Sequence, residues 1–242
     1  GAIPELARHG MGGEFRNVSP ETARVILVQS GDRLLPGFPE SLSAATKREL
    51  EDLGVEVMTG ARVTDIDEDG LSIGEKRIEV GTVVWAAGVI ASAAGRWLDT
   101  ERDKAGRVIV GADLTIEGAD NIFVVGDTAS SNAWNGNPVP GLASAAKQGG
   151  AYAASVIAAK LSGKPVPGPF KYKHGGSLAT IGRAAAVADF GWVKLSGAPA
   201  WWLWNVVHVL FLSSARSRFA VAMEWAWAYL TFRRSTRLIT GK

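Results

Sequence analysis

Asn121-Ile122-Phe123-Val124-Val125-Gly126-Asp127-Thr128-Ala129, followed after a short loop by Pro140-Gly141-Leu142-Ala143-Ser144-Ala145-Ala146-Lys147-Gln148-Gly149, decides the fold. An apolar run that stops at Gly-Asp predicts a buried parallel strand with a carboxylate at its carboxyl end, where open α/β sheets bind ligands. The Ala-rich segment behind it predicts a helix whose first turn offers free N–H groups and a positive dipole end. Together they form a socket for a hydroxylated, electron-rich ligand, the pattern of a flavin site.

Upstream, Arg24-Val25-Ile26-Leu27-Val28-Gln29-Ser30-Gly31 reads as a strand covered on both sides. Leu42, Ala45, Glu49, Leu50 and Leu53 recur at helical spacing, opened by Pro39-Glu40-Ser41 and closed by Gly54. Val55-Glu56-Val57-Met58 completes a βαβ unit whose parallel sheet is expected in the interior. From Arg62 to Val80 short alternating runs predict an antiparallel meander. Thr82-Val83-Val84-Trp85-Ala86-Ala87-Gly88 reads as another buried strand that stops at glycine. Lys160 to Pro169 is a Gly/Pro/Ser-containing connector. The opening, Gly1-Ala2-Ile3-Pro4-Glu5-Leu6-Ala7-Arg8, resembles the middle of an uncapped helix, so the chain is expected to be a fragment or one product of a split gene.

Composition narrows the chemistry. A net charge of +2 over 242 residues gives no reason to expect nucleic-acid binding. The absence of cysteine removes a redox disulfide, a thiolate nucleophile and a Cys-ligated metal together. His9, His174 and His208 are scattered without metal-ligand spacing and read as surface or packing residues.

The last third differs in kind. Six of the nine tryptophans lie from Trp192 onward, and beyond Phe190 seven basic residues (Lys194, Arg216, Arg218, Arg233, Arg234, Arg237, Lys242) face one acid, Glu224. The apolar tract Trp201–Leu212 is shorter than the roughly 20 residues that a spanning helix needs. A second segment, Arg216 to Phe232, sets Phe219, Met223, Ala226 and Leu230 on one side. Tryptophans and arginines beside short apolar helices suit an interfacial anchor that lies in the bilayer surface. A dimer interface or an ordinary core is the alternative.

Among single residues Asp127 is the sharpest, since a strand-end carboxylate accepts hydrogen bonds from a polyol while Gly126 admits the ligand to the backbone. A loop aspartate capping the next segment is the plainer reading. Ala143 and Ser144 leave room for a flat ring, or serve close helix–sheet packing. Gln148 shares a face with Ser144 and could donate to a ring or quinone carbonyl, or simply meet solvent. Gln29 ends its strand where dinucleotide folds place an acid for the adenosine ribose. Gly10, Gly12 and Gly13 follow the first helix and do not supply a dinucleotide glycine loop.

These residues resemble the type II NADH dehydrogenases, single-subunit NADH:quinone oxidoreductases that do not pump protons. Gly1–Ala7 looks like the helix after the family's NAD-binding glycine loop, and Val25–Pro39 resembles its second NAD-domain strand with the Gly-x-Arg-Leu-Leu-Pro continuation. Val84–Val89 is similar to the segment beside the nicotinamide, and Ile122–Ala129 to the second FAD motif. Pro140–Gln148 looks like the Ala-Gln-x-x-x-Gln signature at flavin and quinone. Tyr172–Arg183 and the endings Tyr229-Leu230-Thr231-Phe232 and Leu238-Ile239-Thr240-Gly241 resemble the membrane-anchoring portion. Three residues depart from the family: Ser144 stands where many members have glutamine, Gln29 replaces the usual acid, and Pro4 enters a helix normally unbroken.

The resemblance implies an α/β, Rossmann-like flavoprotein of two partial dinucleotide-binding domains with C-terminal amphipathic, membrane-anchoring helices. It implies an NAD(P)H-binding part over 1–105 without its glycine loop, the end of an FAD domain over 106–165, and an anchor over 166–242. Gly126, Asp127, Ala143 and Ser144 would meet FAD, Gln29 and Gly88 would meet NAD(H), and Ala143, Ser144 and Gln148 would meet quinone. The expected setting is peripheral, on the cytoplasmic face of a bacterial inner membrane, with a homodimer left open. Two rivals stand beside it: a soluble flavin-dependent ferredoxin or rubredoxin reductase, and a membrane-associated remnant without catalysis.

Overall fold

The computed structural model describes residues 1–11, 15–17 and 19–231. Gly12, Gly13, Phe232, Arg233, Arg234, Arg237, Leu238-Ile239-Thr240-Gly241 and Lys242, read above from the sequence, lie outside the described residues. The chain divides into two compact units, one of Gly1–Val83 with the chain from Gly176 onward, the other of Val84–Gly175.

The first unit opens with α1 (Ala2–Glu5), which runs on into one wider turn, Leu6–Gly10. Pro4 sits in the first turn, where a missing N–H forfeits no helix bond, so the helix continues through it. The expected βαβ unit follows as β1 (Val25–Val28), α2 (Glu40–Asp52) and β2 (Val55–Met58), with Val25 opposite Val55 and Val28 opposite Met58 in parallel register. Gly54 ends α2 at φ +74°, a left-handed position that only glycine takes without strain. The parallel pair is half-covered and not interior. Leu27 keeps 37% of its surface, because an apolar run does not specify what will cover its second face. The meander forms as β3 (Asp65–Asp67), β4 (Gly70–Ile73) and β5 (Lys76–Glu79), burying Leu71 and Ile78.

In the second unit, the segment from Val84 through Gly88 is not a strand. Among the described residues nothing pairs with it, and Trp85 remains 71% exposed, with Val89 and Ile90 also open. A short helix, α3 (Ala94–Trp97), precedes β6 (Val108–Ile109), β7 (Thr115–Ile116), β8 (Ala119–Phe123) and β9 (Ala129–Ser130). The run before Gly126 also corrects the sequence reading. β8 pairs antiparallel with β7 across Glu117-Gly118, where Gly118 takes φ +79°, while the parallel partner of β6 is β9, after Asp127. A short turn containing glycine is a hairpin signal, and it overrides the parallel expectation drawn from the apolar run alone. Helix α4 (Ala143–Leu161) then packs Ala145 with Leu114, Phe170 and Tyr172.

The chain re-enters the first unit as an antiparallel sheet, β10 (Ser177–Gly182), β11 (Ala185–Asp189) and β12 (Lys194–Ser196). Ile181, Ala185 and Val187 join Leu34, Leu42, Ala45, Leu50 and Val55 in one core, so residues far apart in sequence share this unit. Two helices close the description, α5 (Ala198–Leu210) and α6 (Ala215–Thr231). The small residues Ala186, Ala188 and Ala200, all fully buried, let α5 lie close on β11. Ser214 caps α6 by accepting the Ser217 N–H at 3.1 Å.

Candidate functional site

The Val124 N–H still bonds Leu114 O at 3.0 Å, and the chain then bends into a single 3-10 turn, Gly126–Thr128. Gly126 takes φ +70°, and a Cβ built there would meet the Ala146 Cβ at 3.2 Å. Thus both conformation and close approach require glycine. The turn sets the Asp127 carboxylate beside Gly141, where an added Cβ would lie 3.4 Å from Oδ1. Leu142 O accepts the N–H groups of Ala145 (2.9 Å) and Ala146 (3.1 Å). The N–H groups of Ala143 and Ser144 have no backbone partner among the described residues. Carboxylate and helix start therefore lie together, as the sequence suggests.

They border a cleft of about 380 Å³, lined among others by Asp127, Thr128, Gly141, Ala145, Ser92 and Arg107. Arg107 is held by Asp103, which accepts its N–H at 2.9 Å and its Nε at 2.7 Å. Burial works against ionising Asp103, but hydrogen bonds from Arg107 and Ser130 outweigh it and keep this carboxyl below its usual range.

The sequence groups Ser144 and Gln148 with Asp127; the structure puts them on a different face of α4. Ala145 and Gly149 line the cleft, whereas Ser144 and Gln148 meet the segment ending at His174. Gln148 clasps that segment from both sides: its Nε2 donates to Lys173 O at 3.0 Å, and its Oε1 accepts the Lys173 N–H at 2.9 Å. The Ser144 Oγ lies 3.1 Å from the Tyr172 hydroxyl, which lies 3.1 Å from His174 Nδ1. Trp134 stacks obliquely on the His174 ring, with centroids 4.9 Å apart.

Gly88 stands in the same unit at φ +102° with open space around it, next to the cleft-lining Val89 and Ile90. Gln29 belongs to the other unit. It follows β1, its N–H donating to Met58 O at 2.8 Å and its carbonyl accepting from Ala61 at 3.0 Å, and the side chain is half-buried. Sequence reasoning missed Arg107, Trp134, Tyr172 and the bonded role of His174. Only the last pair carried a signal, the i, i+2 spacing that places Tyr172 and His174 on one side of an extended segment.

Helices α5 and α6 join through rings: Trp204 stacks on Trp225 at 5.6 Å, and Trp201 meets Tyr229 at 5.3 Å. The Arg183 guanidinium lies 4.3 Å from the Tyr229 ring centre and also donates to the Tyr229 carbonyl. Outward, α5 presents Trp202, Val206 and Leu210 at i, i+4, i+8, and α6 presents Phe219 (71% exposed), Met223 and Leu230. Among the described residues no helix is long and apolar enough to cross a membrane, and no cluster of His, Asp or Glu could hold a metal.

The family model for pyridine nucleotide-disulphide oxidoreductase matches residues 6–150, and that for the NDH2 C-terminal domain matches residues 174–234. The chain is 41% identical over 253 aligned residues to the type II NADH:quinone oxidoreductase Ndh of Mycobacterium tuberculosis, covering all of this chain and 54% of that protein. It is 33% identical to the type II NADH:quinone oxidoreductase of Haemophilus influenzae, over 78% of this chain and 42% of the relative. The fold is similar to NDH2 from Plasmodium falciparum solved in complex with NADH, with a TM-score of 0.74, 20% identity, and coverage of 87% of this chain and 59% of the other. The chain spans about half the length of the curated relatives it matches.

Proposed function

Because the chain belongs to the pyridine nucleotide-disulphide oxidoreductase family, in its type II NADH dehydrogenase branch, we propose that the protein carries electrons from NADH through FAD to a membrane quinone without pumping protons. The observation that carries this reading is the Asp127 carboxylate, set by the Gly126–Thr128 turn against Gly141 at the start of α4. The residues present fit a flavin. Two glycines clear the approach, a carboxylate awaits polyol hydroxyls, and two backbone N–H groups remain for an electron-rich ring edge. When bound, FAD supplies the two-electron redox chemistry between nicotinamide and quinone.

Under this reading Asp127 accepts hydrogen bonds from the ribitol hydroxyls, and Ala143 and Ser144 offer their N–H groups near the ring. Gln29 takes the adenosine ribose of NAD(H), and Gly88 admits the nicotinamide. Gln148 has one amide hydrogen committed to Lys173 and its second free for a quinone carbonyl. Residues 1–105 serve NADH, 106–165 serve FAD, and 166–242 hold the protein to lipid. The open apolar stripes of α5 and α6 support a monotopic seat on the cytoplasmic face of a bacterial inner membrane, from which a lipid-dissolved quinone enters. A soluble flavin reductase needs no such surface, so flotation with liposomes separates the two readings.

Asp127→Ala in the full gene product tests the proposal. Losing a charge-assisted contact to a buried polyol weakens FAD binding at least tenfold, about 1.4 kcal/mol or more. Flavin absorbance of the purified protein and NADH:quinone turnover should fall together. A variant that stays yellow with unaltered turnover overturns the reading.

A further inference from the structure

The side-chain series Ser144–Tyr172–His174 is separate from the backbone N–H groups offered to the flavin, and its geometry is that of a conduit. Tyr172 is 5% exposed, and its hydroxyl lies within 3.1 Å of both the Ser144 Oγ and His174 Nδ1. A hydroxyl donates one proton and accepts others, so the three groups can align as donors in a single direction, and then in reverse. One end, His174, is exposed, with its ring fixed against Trp134. The other end, Ser144, is half-buried in the first turn of α4, next to the cleft-lining Ala145. Holding the segment to α4 does not require the series, because Gln148 already does so with two hydrogen bonds to the Lys173 backbone.

We propose that Ser144, Tyr172 and His174 form a proton relay from solvent to a quinone reduced at the start of α4. The inference rests on the quinone-reductase reading above. A quinone that receives two electrons and one proton as hydride still needs a second proton at its other oxygen. Ser144 gives that proton from Oγ and recovers one from the Tyr172 hydroxyl. Tyr172 recovers one from His174 Nδ1, and His174 takes one from water at Nε2; the series is restored once the two hydroxyls turn back and His174 changes tautomer through exchange with solvent. Ser144 touches the substrate; Tyr172 and His174 act through it. The charged groups on the elements packed here are Lys147 and, at the far end, Lys160 of α4 and, on the segment of His174 itself, Lys171 and Lys173. The loop carrying Trp134, residues 131–142, contributes none.

The test uses Ser144→Ala, Tyr172→Phe and His174→Phe in the flavin-loaded full gene product. After reduction by NADH, reoxidation by quinone should slow at least tenfold in each variant, with a larger solvent deuterium isotope effect. The Ser144→Ala/Tyr172→Phe double variant should be no slower than the worse single one, as expected of groups acting in series. Reoxidation by ferricyanide, which takes electrons without protons, should stay at the wild-type rate in Tyr172→Phe and His174→Phe. As a readout apart from turnover, the ring ¹⁵N signals of His174 in the oxidised protein should move on Ser144→Ala as well as on Tyr172→Phe. Wild-type quinone rates overturn the relay, as does equal slowing with ferricyanide in those two variants, which marks a merely structural role. Unmoved His174 signals in Ser144→Ala overturn it too. A wild-type protein that binds FAD but is not reoxidised by any quinone instead sinks the functional reading on which the relay depends.

Discussion

Helices α4 and α5 are both rich in apolar residues and use them in opposite ways. Along α4 the residues are small, Ala143, Ala145, Ala146, Gly149 and Ala153, so backbone approaches backbone. The Gly126 turn comes within contact of Ala146, and space for a ligand is left beside Asp127. Helix α5 rests on β11 through the small Ala200 and next to it carries Trp201, Trp202 and Trp204. Large rings join it to α6 and, among the described residues, leave Trp202, Val206 and Leu210 exposed. Hydrophobic content by itself thus says little about function. Side-chain size decides whether a helix closes on its own protein or offers itself to something else.

Four variants test this contrast. The largest effect is expected for Gly126→Val, which forces a β-branched residue to φ +70° and drives its side chain toward Ala146. Strain and overpacking together cost about 3 kcal/mol, read as a lower denaturation midpoint with loss of bound flavin. An unchanged midpoint would show that close approach to α4 is not what shapes the site. Next, Val206→Glu with Leu210→Glu charges the open stripe of α5. Vesicle binding should fall by about tenfold per site, while folded stability moves by less than about 0.5 kcal/mol because neither side chain is buried. A large loss of stability instead would mean that this face is covered by protein. The smallest effect belongs to Gln148→Ala, which removes two hydrogen bonds to Lys173 and should cost about 1–2 kcal/mol by chemical denaturation. Gln148→Glu should lose as much, because the carboxylate keeps the bond from the Lys173 N–H but sets a charged oxygen against the Lys173 carbonyl in place of a donor.

Much of the architecture was legible beforehand where the signal was local. The βαβ unit, the Gly54 stop, the meander and the helix after Gly141 all follow from periodicity and turn chemistry that act within a few residues. Two strands were misread. Val84–Gly88 is as apolar as any buried strand but has no partner among the described residues, and the run before Gly126 pairs antiparallel because of Glu117-Gly118. In both cases the residues state that they could be covered without stating by what.

For the candidate site the division is similar. Chain order alone establishes that a carboxylate follows a glycine beside a small-residue helix, because Gly126, Asp127 and α4 are near neighbours, while the left-handed turn at Gly126 came from the structure. The sequence also marks an aromatic, basic carboxyl-terminal part, since composition needs no folding to be read. Only the tertiary structure turned Ser144 and Gln148 away from Asp127 and toward Tyr172, Lys173 and His174. It alone brought Ile181 and Val187 into one core with Leu42. The physical reason is common to both: helical spacing fixes which side chains share a face, whereas the partner of that face is chosen by contacts between segments distant in the chain.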